Sequence, residues 1–360
     1  MKYRKCLNKV SPYIPGKSEE EIKRIYNLDK VVKIASNENP YGPTPKIKDI
    51  YNNLRYEIYP DNYVIELRKN LAKELNVKDN FLLFGNGSVE IIQMISRVLL
   101  DKGDNIVTEL PSFSSYFSEA NIQDAKIKTI KYNEDYNFNL DEMLSLLDEK
   151  TKIIYITNPN NPLGTIIDSR KMEDFIKKIS NDILVVIDEA YFEFVRDTSY
   201  KSSIDLVKKY DNVCVLRTFS KAYGLAALRI GYIVANPLLI NELEKVRVPF
   251  NVSRISQQCA NIALKDKDFM EKSVEKIHST IDYMYQELDK LKIEYIKTQA
   301  NFIMMNLRRN SKQCEEEFIK RGYIVRGGFP LMDTWIRVSI STLDDMQGFI
   351  EALKEVIKWR

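Results

Sequence analysis

Short apolar runs alternate with amphipathic stretches through the middle of this 360-residue chain. The runs recur at residues 81–84, 106–107, 153–156, 183–187, 213–216 and 230–234, and their length and apolar character predict buried strands. After the first run, residues 89–100 place Ile91, Ile92, Ile95, Val98 and Leu99 on one face at helical spacing. Strands alternating with helices predict an α/β fold, a mostly parallel sheet covered by helices. Ligands of such sheets sit at the carboxyl ends of the strands, so the residues following each run carry the interest. From about residue 265 the texture changes. A helical pattern at 267–291, strands at 301–307, 323–326 and 335–340, and helices at 311–321 and the end predict a smaller α+β domain. The first thirty residues read as an arm with a helix at 18–26. The expected division is an N-terminal arm (1–40) packing with the small domain and the active site, a large domain (41–262) and a small C-terminal domain (263–360).

Composition narrows the function classes. Apolar residues make up 44% of the chain, enough for a large core, and 54 basic against 51 acidic side chains leave a net charge of +3. That balance argues against a nucleic-acid partner, which calls for a basic face, and leaves room for a small anionic substrate. The first seventeen residues lack the apolar segment of a signal peptide. No run approaches the ~18 apolar residues of a membrane span, so a soluble, cytoplasmic protein without a membrane partner is expected. Cys6, Cys214, Cys259 and Cys314 are scattered and read as reduced thiols. The single histidine, His278, falls in the charged helical stretch and reads as a helix-surface residue. A zinc site or a Ser-His-Asp triad is hard to build from one histidine; no metal is expected, and proton transfer falls to another group, with lysine the obvious candidate.

That lysine stands in the segment Thr218–Gly231 (TFSKAYGLAALRIG), between two strand-like runs. Lys221 sits next to Ser220 in a bend of small residues, and Arg229 returns just before the next strand. A lysine with a serine and a returning cation suits a phosphorylated cofactor held by an imine and an oxyanion clamp, which points to pyridoxal 5'-phosphate (PLP). The run at 183–187 ends in Asp188, 33 residues before Lys221, with Tyr191 just beyond. A lone Asp there is commonly a cap or turn; a buried one is suited to keeping a pyridine nitrogen protonated. The run at 153–156 leads into Thr157-Asn158-Pro159-Asn160-Asn161-Pro162, by itself a turn, with Asn161 placed to donate to a phenolic oxygen. Gly85-Asn86-Gly87-Ser88-Val89-Glu90 opens a helix whose N–H groups suit phosphate. Glu90 occupies the third glycine of the dinucleotide fingerprint, which argues against NAD. Phe113 after the 106–107 run is either a core aromatic or a ring stacked on the pyridine face.

Together these motifs are similar to the fold-type-I PLP enzymes of the class I/II aminotransferase group, and most of all to their histidinol-phosphate aminotransferase branch. The likeness runs almost end to end: SPYIPGK (11–17), IASNENPYGPTPK (34–46), YPDN (59–62), GNGSVE (85–90), PSF (111–113), NPNNPLG (158–164), VVIDEAY (185–191), RTFSKAYGLAALRIGY (217–232), PFNVS (249–253), ANF (300–302), IVR (324–326) and IRVSI (336–340). The resemblance implies that Lys221 holds the cofactor and shuttles the proton, Asp188 pairs with the pyridine nitrogen, Tyr191 and Asn161 contact its phenolic oxygen, and Phe113 stacks on the ring. It implies a phosphate site of Gly87, Ser88, Val89, Thr218, Ser220 and Arg229, completed by Tyr59 from a second copy, hence a homodimer with shared sites. Arg337 matches a carboxylate-binding arginine and Arg326 a position associated with substrate phosphate; the alternative for both is an ordinary strand-end surface arginine, an alternative that weighs more for Arg326 than for Arg337. Tyr13 and Asn37 match substrate-side contacts. Val89, Ile58 and Ala227 depart from the family's usual Asp, Arg and Gly, and the first two bear on the substrate rather than the cofactor.

The implied activity is ping-pong transfer of an amino group between a small phosphorylated amine or amino alcohol and 2-oxoglutarate/glutamate. The rival on the same fold is decarboxylation of an O-phospho-amino acid such as phosphothreonine or phosphoserine, since whichever Cα bond is held perpendicular to the ring breaks. A non-catalytic PLP-binding module is a remote third reading, because it calls for a separate DNA-binding segment.

Overall fold

Alternation of short apolar runs becomes a seven-stranded sheet in the computed structural model, which describes residues 1–12 and 18–358. In chain order the strands are β1 (Val32–Lys33), β2 (Leu82–Gly85), β3 (Asn105–Leu110), β4 (Lys126–Lys131), β5 (Thr151–Thr157), β6 (Leu184–Asp188), β7 (Val213–Thr218), β8 (Gly231–Val234), β9 (Glu294–Ile296), β10 (Phe302–Asn306), β11 (Tyr323–Ile324) and β12 (Trp335–Ser339). The large sheet has the order β2-β8-β7-β6-β5-β3-β4. Only β8 runs antiparallel to its neighbours, which makes this the mostly parallel, helix-covered α/β architecture expected. The reason for the reversal is local. The β7–β8 connection holds only a short 3-10 turn, Ala226–Leu228, and lacks the helical crossover that a parallel return needs.

The sheet is apolar on both faces, as a covered parallel sheet must be. Val185, Ile187, Val213 and Val215 join one core, while Val186, Cys214 and Leu216 join the other. Alternation along each strand thus feeds two helical layers, each buried Val, Ile or Leu contributing about 1.5–3 kcal/mol. The helix Ser88–Leu99 buries Ile91, Ile92 and Ile95 as its pattern predicts, leaving Val98 and Leu99 partly buried. β4 escaped the sequence pattern because it is an edge strand, KIKTIK, with three lysines among its six residues. Lysine on an edge discourages further strand pairing and erases the apolar run.

Beyond residue 265 a three-stranded antiparallel sheet, β12-β10-β9, packs with the helices Lys267–Lys290 and Leu343–Lys358. β1 pairs in parallel with β11, and Val32 and Ile34 share a core with Tyr191, Ala222 and Phe302. The chain just before Asn37 is therefore pinned between the two sheets. Arg326 lies past the end of β11, in an isolated backbone bridge to Arg337. His278 is half-buried rather than on the helix surface: its Nε2 lies 2.8 Å from the Phe194 carbonyl, because that face of the helix packs against the 3-10 turn Phe192–Phe194. All four cysteines are free and buried. Among the described residues no helix is long and apolar enough to cross a membrane, and no group of three or more His, Cys, Asp or Glu is placed to hold a metal ion.

Candidate active site

Three adjacent strands, β7, β6 and β5, lead into Lys221, Asp188 and Asn161 at their carboxyl ends. Register sets this convergence, since Thr157 lies opposite Asp188 and Asp188 opposite Leu216. Asn161 donates through Nδ2 to the Tyr191 hydroxyl at 3.2 Å, and Asn37 donates to the same oxygen at 3.0 Å. Asn37 has φ +56°, a left-handed conformation that asparagine tolerates better than most residues. It is fixed by Ser339, whose Oγ donates to its Oδ1 at 2.7 Å and accepts from its N–H at 2.8 Å.

Lys221 Nζ donates to the Ser36 carbonyl at 2.8 Å and lies 5.9 Å from the centre of the Tyr191 ring. Burial brings this amine down to about 7, helped by the Arg337 guanidinium and opposed by Glu38. An amine near neutrality is free to act as nucleophile and base. Asp188 is buried; Tyr116 donates to its Oδ2 at 2.8 Å and the Ala190 N–H to its Oδ1 at 3.1 Å. Burial pushes its carboxyl up to about 6 against those two bonds.

The glycine turn lies beside the lysine segment. Gly87 has φ +77° and precedes the helix Ser88–Leu99; a Cβ there would meet Arg229 Nη2 at 2.5 Å. Only glycine leaves room for that guanidinium at the helix N-terminus. Arg229 Nη1 donates to Ser220 Oγ at 3.4 Å, and the Ser220 N–H donates to Thr218 Oγ1 at 3.0 Å. Ser88 and Val89 form the first turn of the helix. These groups bring helix N–H groups, hydroxyls and one guanidinium together, a setting suited to an oxyanion. Phe113 caps the helix Ser114–Ile122 and meets Tyr116 edge-on at 5.6 Å.

Arg337 on β12 donates through Nη1 to Asn161 Oδ1, and through Nη2 to the Ala35 carbonyl at 2.6 Å. Its guanidinium lies over the rings of Phe302 and Phe329. Arg326 is exposed. Tyr59 is 76% exposed and stacks on Phe250 at 4.7 Å. Tyr13 lies outside the described residues. Sequence reasoning missed Tyr116, Ser36 and Ser339. Tyr116 follows Phe113 by three residues, one helical turn, but nothing in a lone tyrosine at that spacing separates a carboxylate partner from a core aromatic.

Residues 29–353 match the family model described as "Aminotransferase class I and II". The chain belongs to that family. It is 41% identical over 360 residues to histidinol-phosphate aminotransferase 1 of Bacillus cereus, covering 99% of this chain and 97% of that one. Among solved structures, histidinol-phosphate aminotransferase from Sinorhizobium meliloti, in complex with pyridoxal-5'-phosphate, superposes with a TM-score of 0.90 at 24% identity, covering 99% and 97% of the two chains. The L-threonine-O-3-phosphate decarboxylase of Porphyromonas gingivalis gives 0.80 at 21% identity over 91% and 100%. Solved structures with this fold thus include a histidinol-phosphate aminotransferase and an L-threonine-O-3-phosphate decarboxylase. The residues present fit PLP. A buried carboxyl awaits a cationic partner at Asp188, and the Gly87 turn leaves room for anion-binding groups that a Cβ would displace.

Proposed function

We propose that this aminotransferase uses PLP to move an amino group between a small phosphorylated amine resembling histidinol phosphate and 2-oxoglutarate or glutamate, in a ping-pong cycle. The observation that carries the reading is the convergence of Asn161 and Asn37 on the Tyr191 hydroxyl, with Lys221 and Arg337 against the same chain segment, residues 35–37. The 41% identity to a histidinol-phosphate aminotransferase across nearly the whole chain supports the phosphorylated substrate.

In this reading Lys221 holds the cofactor and moves the proton at the substrate Cα. Asp188 pairs with the pyridine nitrogen, Phe113 lies against the ring, and Tyr191 and Asn161 bind its phenolic oxygen. Gly87, Ser88, Val89, Thr218, Ser220 and Arg229 hold the phosphate, with Tyr59 contributed by a second copy of the chain in a cytoplasmic homodimer. When bound, the cofactor supplies an electron sink that stabilises negative charge at the substrate Cα. Arg337 binds the substrate carboxylate through its planar fork, while Arg326 and the arm residues Tyr13 and Asn37 line the substrate side. In the same reading the chain divides into an arm (1–40), a large domain (41–262) and a small domain (263–360), with the site between them.

A half-reaction screen tests this. PLP-loaded enzyme is mixed separately with histidinol phosphate, phosphothreonine, phosphoserine, serinol phosphate, aromatic amino acids and glutamate, following the cofactor's visible absorbance and carbon dioxide. Histidinol phosphate and glutamate should each convert the cofactor without gas release. Carbon dioxide from a phospho-amino acid, with no need for 2-oxoglutarate, would replace transamination by decarboxylation.

A further inference from the structure

Ser339 ends β12 two residues after Arg337, so both side chains leave the strand on the same face. Each holds one of the two asparagines that meet at the Tyr191 hydroxyl. Arg337 donates to Asn161 Oδ1, and a guanidinium offers only donors. The Asn161 amide therefore presents its Nδ2 to Tyr191, 3.2 Å away. Ser339 Oγ accepts from the Asn37 backbone N–H at 2.8 Å, and its own proton goes to Asn37 Oδ1 at 2.7 Å. With Oδ1 engaged, Asn37 also presents Nδ2 to Tyr191, at 3.0 Å. Asn301 Nδ2 donates to the Asn37 carbonyl at 3.1 Å, so both backbone polar groups of Asn37 are held as well. Asn37, Tyr191, Asn301 and Ser339 are all buried. We infer that Ser339 is a positioning residue for Tyr191: by fixing the Asn37 amide, it directs the tyrosine proton to the cofactor. The inference rests on the assignment of Tyr191 to the phenolic oxygen of PLP.

Counting donors and acceptors gives the direction. A phenol hydroxyl has one proton to give. Two incoming N–H groups occupy the Tyr191 oxygen, and neither can take that proton. Turned over, the Asn37 amide would aim Oδ1 at Tyr191 and accept it. Nδ2 would then face Ser339 Oγ, already the acceptor of the Asn37 N–H, and the serine proton would lose Oδ1. Such a loss is costly for a buried hydroxyl. Ser339 thus decides between a tyrosine that donates into the site and one that donates to its neighbour. The ring cannot evade the choice by moving, since it meets Phe302 edge-on at 5.2 Å, and Phe302 lies opposite Ser339 in the β10–β12 register.

The consequence falls on the cofactor. A hydrogen bond given to the phenolic oxygen stabilises its negative charge, so the nitrogen joined to the ring beside it gives up its proton at lower pH. The charged groups facing Tyr191 are the Arg337 guanidinium, the Asp188 carboxyl and, 5.9 Å from its ring, the Lys221 amine. Substitutions at Ser339 and Tyr191 alter none of them.

Two measurements on the full chain test the link. In the PLP-loaded protein, the cofactor's visible absorbance is titrated against pH. Tyr191→Phe should raise the midpoint, and Ser339→Ala should raise it by about half a unit to one unit, the span of one net hydrogen bond. Ser339→Thr keeps the hydroxyl and should keep the wild-type midpoint. Beside Tyr191→Phe, Ser339→Ala should add nothing, a result that a serine which only packs would not give. In the cofactor-free protein, urea unfolding of the same variants should be non-additive, the double variant losing less stability than the two single ones together. The proposal is overturned if Ser339→Ala leaves the midpoint in place, if threonine shifts it as far as alanine, or if the alanine shift persists beside Tyr191→Phe. Additive losses in urea also overturn it. Should Ser339→Ala fail to fold, Ser339→Cys, close in size and a weak hydrogen bonder, takes its place with the same expected direction. A midpoint that Tyr191→Phe does not move, or a protein that binds no PLP, refutes instead the reading of the site, and the urea cycle still judges the link from Ser339 to Tyr191.

Discussion

The floor of the site and its substrate side are built in opposite ways. Asp188, Asn161 and Lys221 follow directly from three hydrogen-bonded strands whose register allows little slack. Arg337, Asn37 and Tyr191 come from three regions far apart in the chain and meet only through side-chain bonds such as Asn37 to Tyr191 and Arg337 to Asn161. Arg326 and Tyr59 are exposed. On the roles proposed above, a covered parallel sheet holds the chemistry, while specificity is assembled from an arm, a second sheet and solvent-facing groups. Such a construction lets the outer shell change without disturbing the floor.

The sharpest way to break that contrast is at the floor. Lys221→Ala should lower kcat about 10²–10⁴-fold, the usual contribution of a positioned acid–base group, while the fold, read by circular dichroism, stays intact. Turnover within twofold of wild type would falsify the role given to Lys221. Because burial lowers this amine to about 7, its neutral, reactive fraction grows as pH rises through that value. The rate at which cofactor-free protein recaptures PLP should therefore climb to a plateau above pH 7, and a rate that falls across the same range contradicts the assignment.

Asp188→Asn should weaken PLP binding about 10–100-fold, the worth of a charged hydrogen bond, measured by dialysis. The same change should stabilise the cofactor-free chain at high pH. The carboxyl is raised in the folded state, so its contribution is present below the unfolded carboxylate range and lost as pH rises through about 6. At pH 8 the variant should thus melt higher than wild type, by up to about 3 kcal/mol in stability, and at pH 4 the gap should close. Equal gaps at both pH values would remove the burial argument.

On the substrate side the effects should be smaller and should fall on KM. Arg337→Lys keeps the charge but loses the planar fork, so KM for glutamate should rise about tenfold with kcat little changed; a change confined to kcat would move Arg337 from binding to chemistry. Arg326→Gln should cost phosphorylated substrates about fivefold or less, as an exposed ion pair does, and leave glutamate untouched. Equal losses on both substrates would make Arg326 a structural arginine.

Most of the floor was legible in the chain because strand ends are marked by composition. An apolar run followed by Asp188, by the Asn161 cluster or by the Lys221 bend needs no long-range information to be noticed. Where an element's composition does not match its environment, the signal disappears. Edge strand β4 carries three lysines in six residues, and β8 reverses direction because of a connection whose missing helix is hard to see in a bend of small residues. Tyr116 looks like core packing until the helix Ser114–Ile122 brings its hydroxyl to Asp188. Arg337 and Arg326 read alike in sequence, yet one is buried against Asn161 and the other faces solvent.

By itself the chain determined the alternation that makes a covered parallel sheet, and hence which residues stand at its strand ends; both follow from local apolar patterning, which acts over a few residues. Only the tertiary structure decided which groups those residues meet. The Tyr191 hydroxyl between Asn161 and Asn37, the Ser36 carbonyl at Lys221, and the Tyr116 hydroxyl at Asp188 all join positions distant in sequence. Such contacts depend on register and on packing between layers, and a hydrogen bond formed across that distance leaves no periodic trace in the residues that make it.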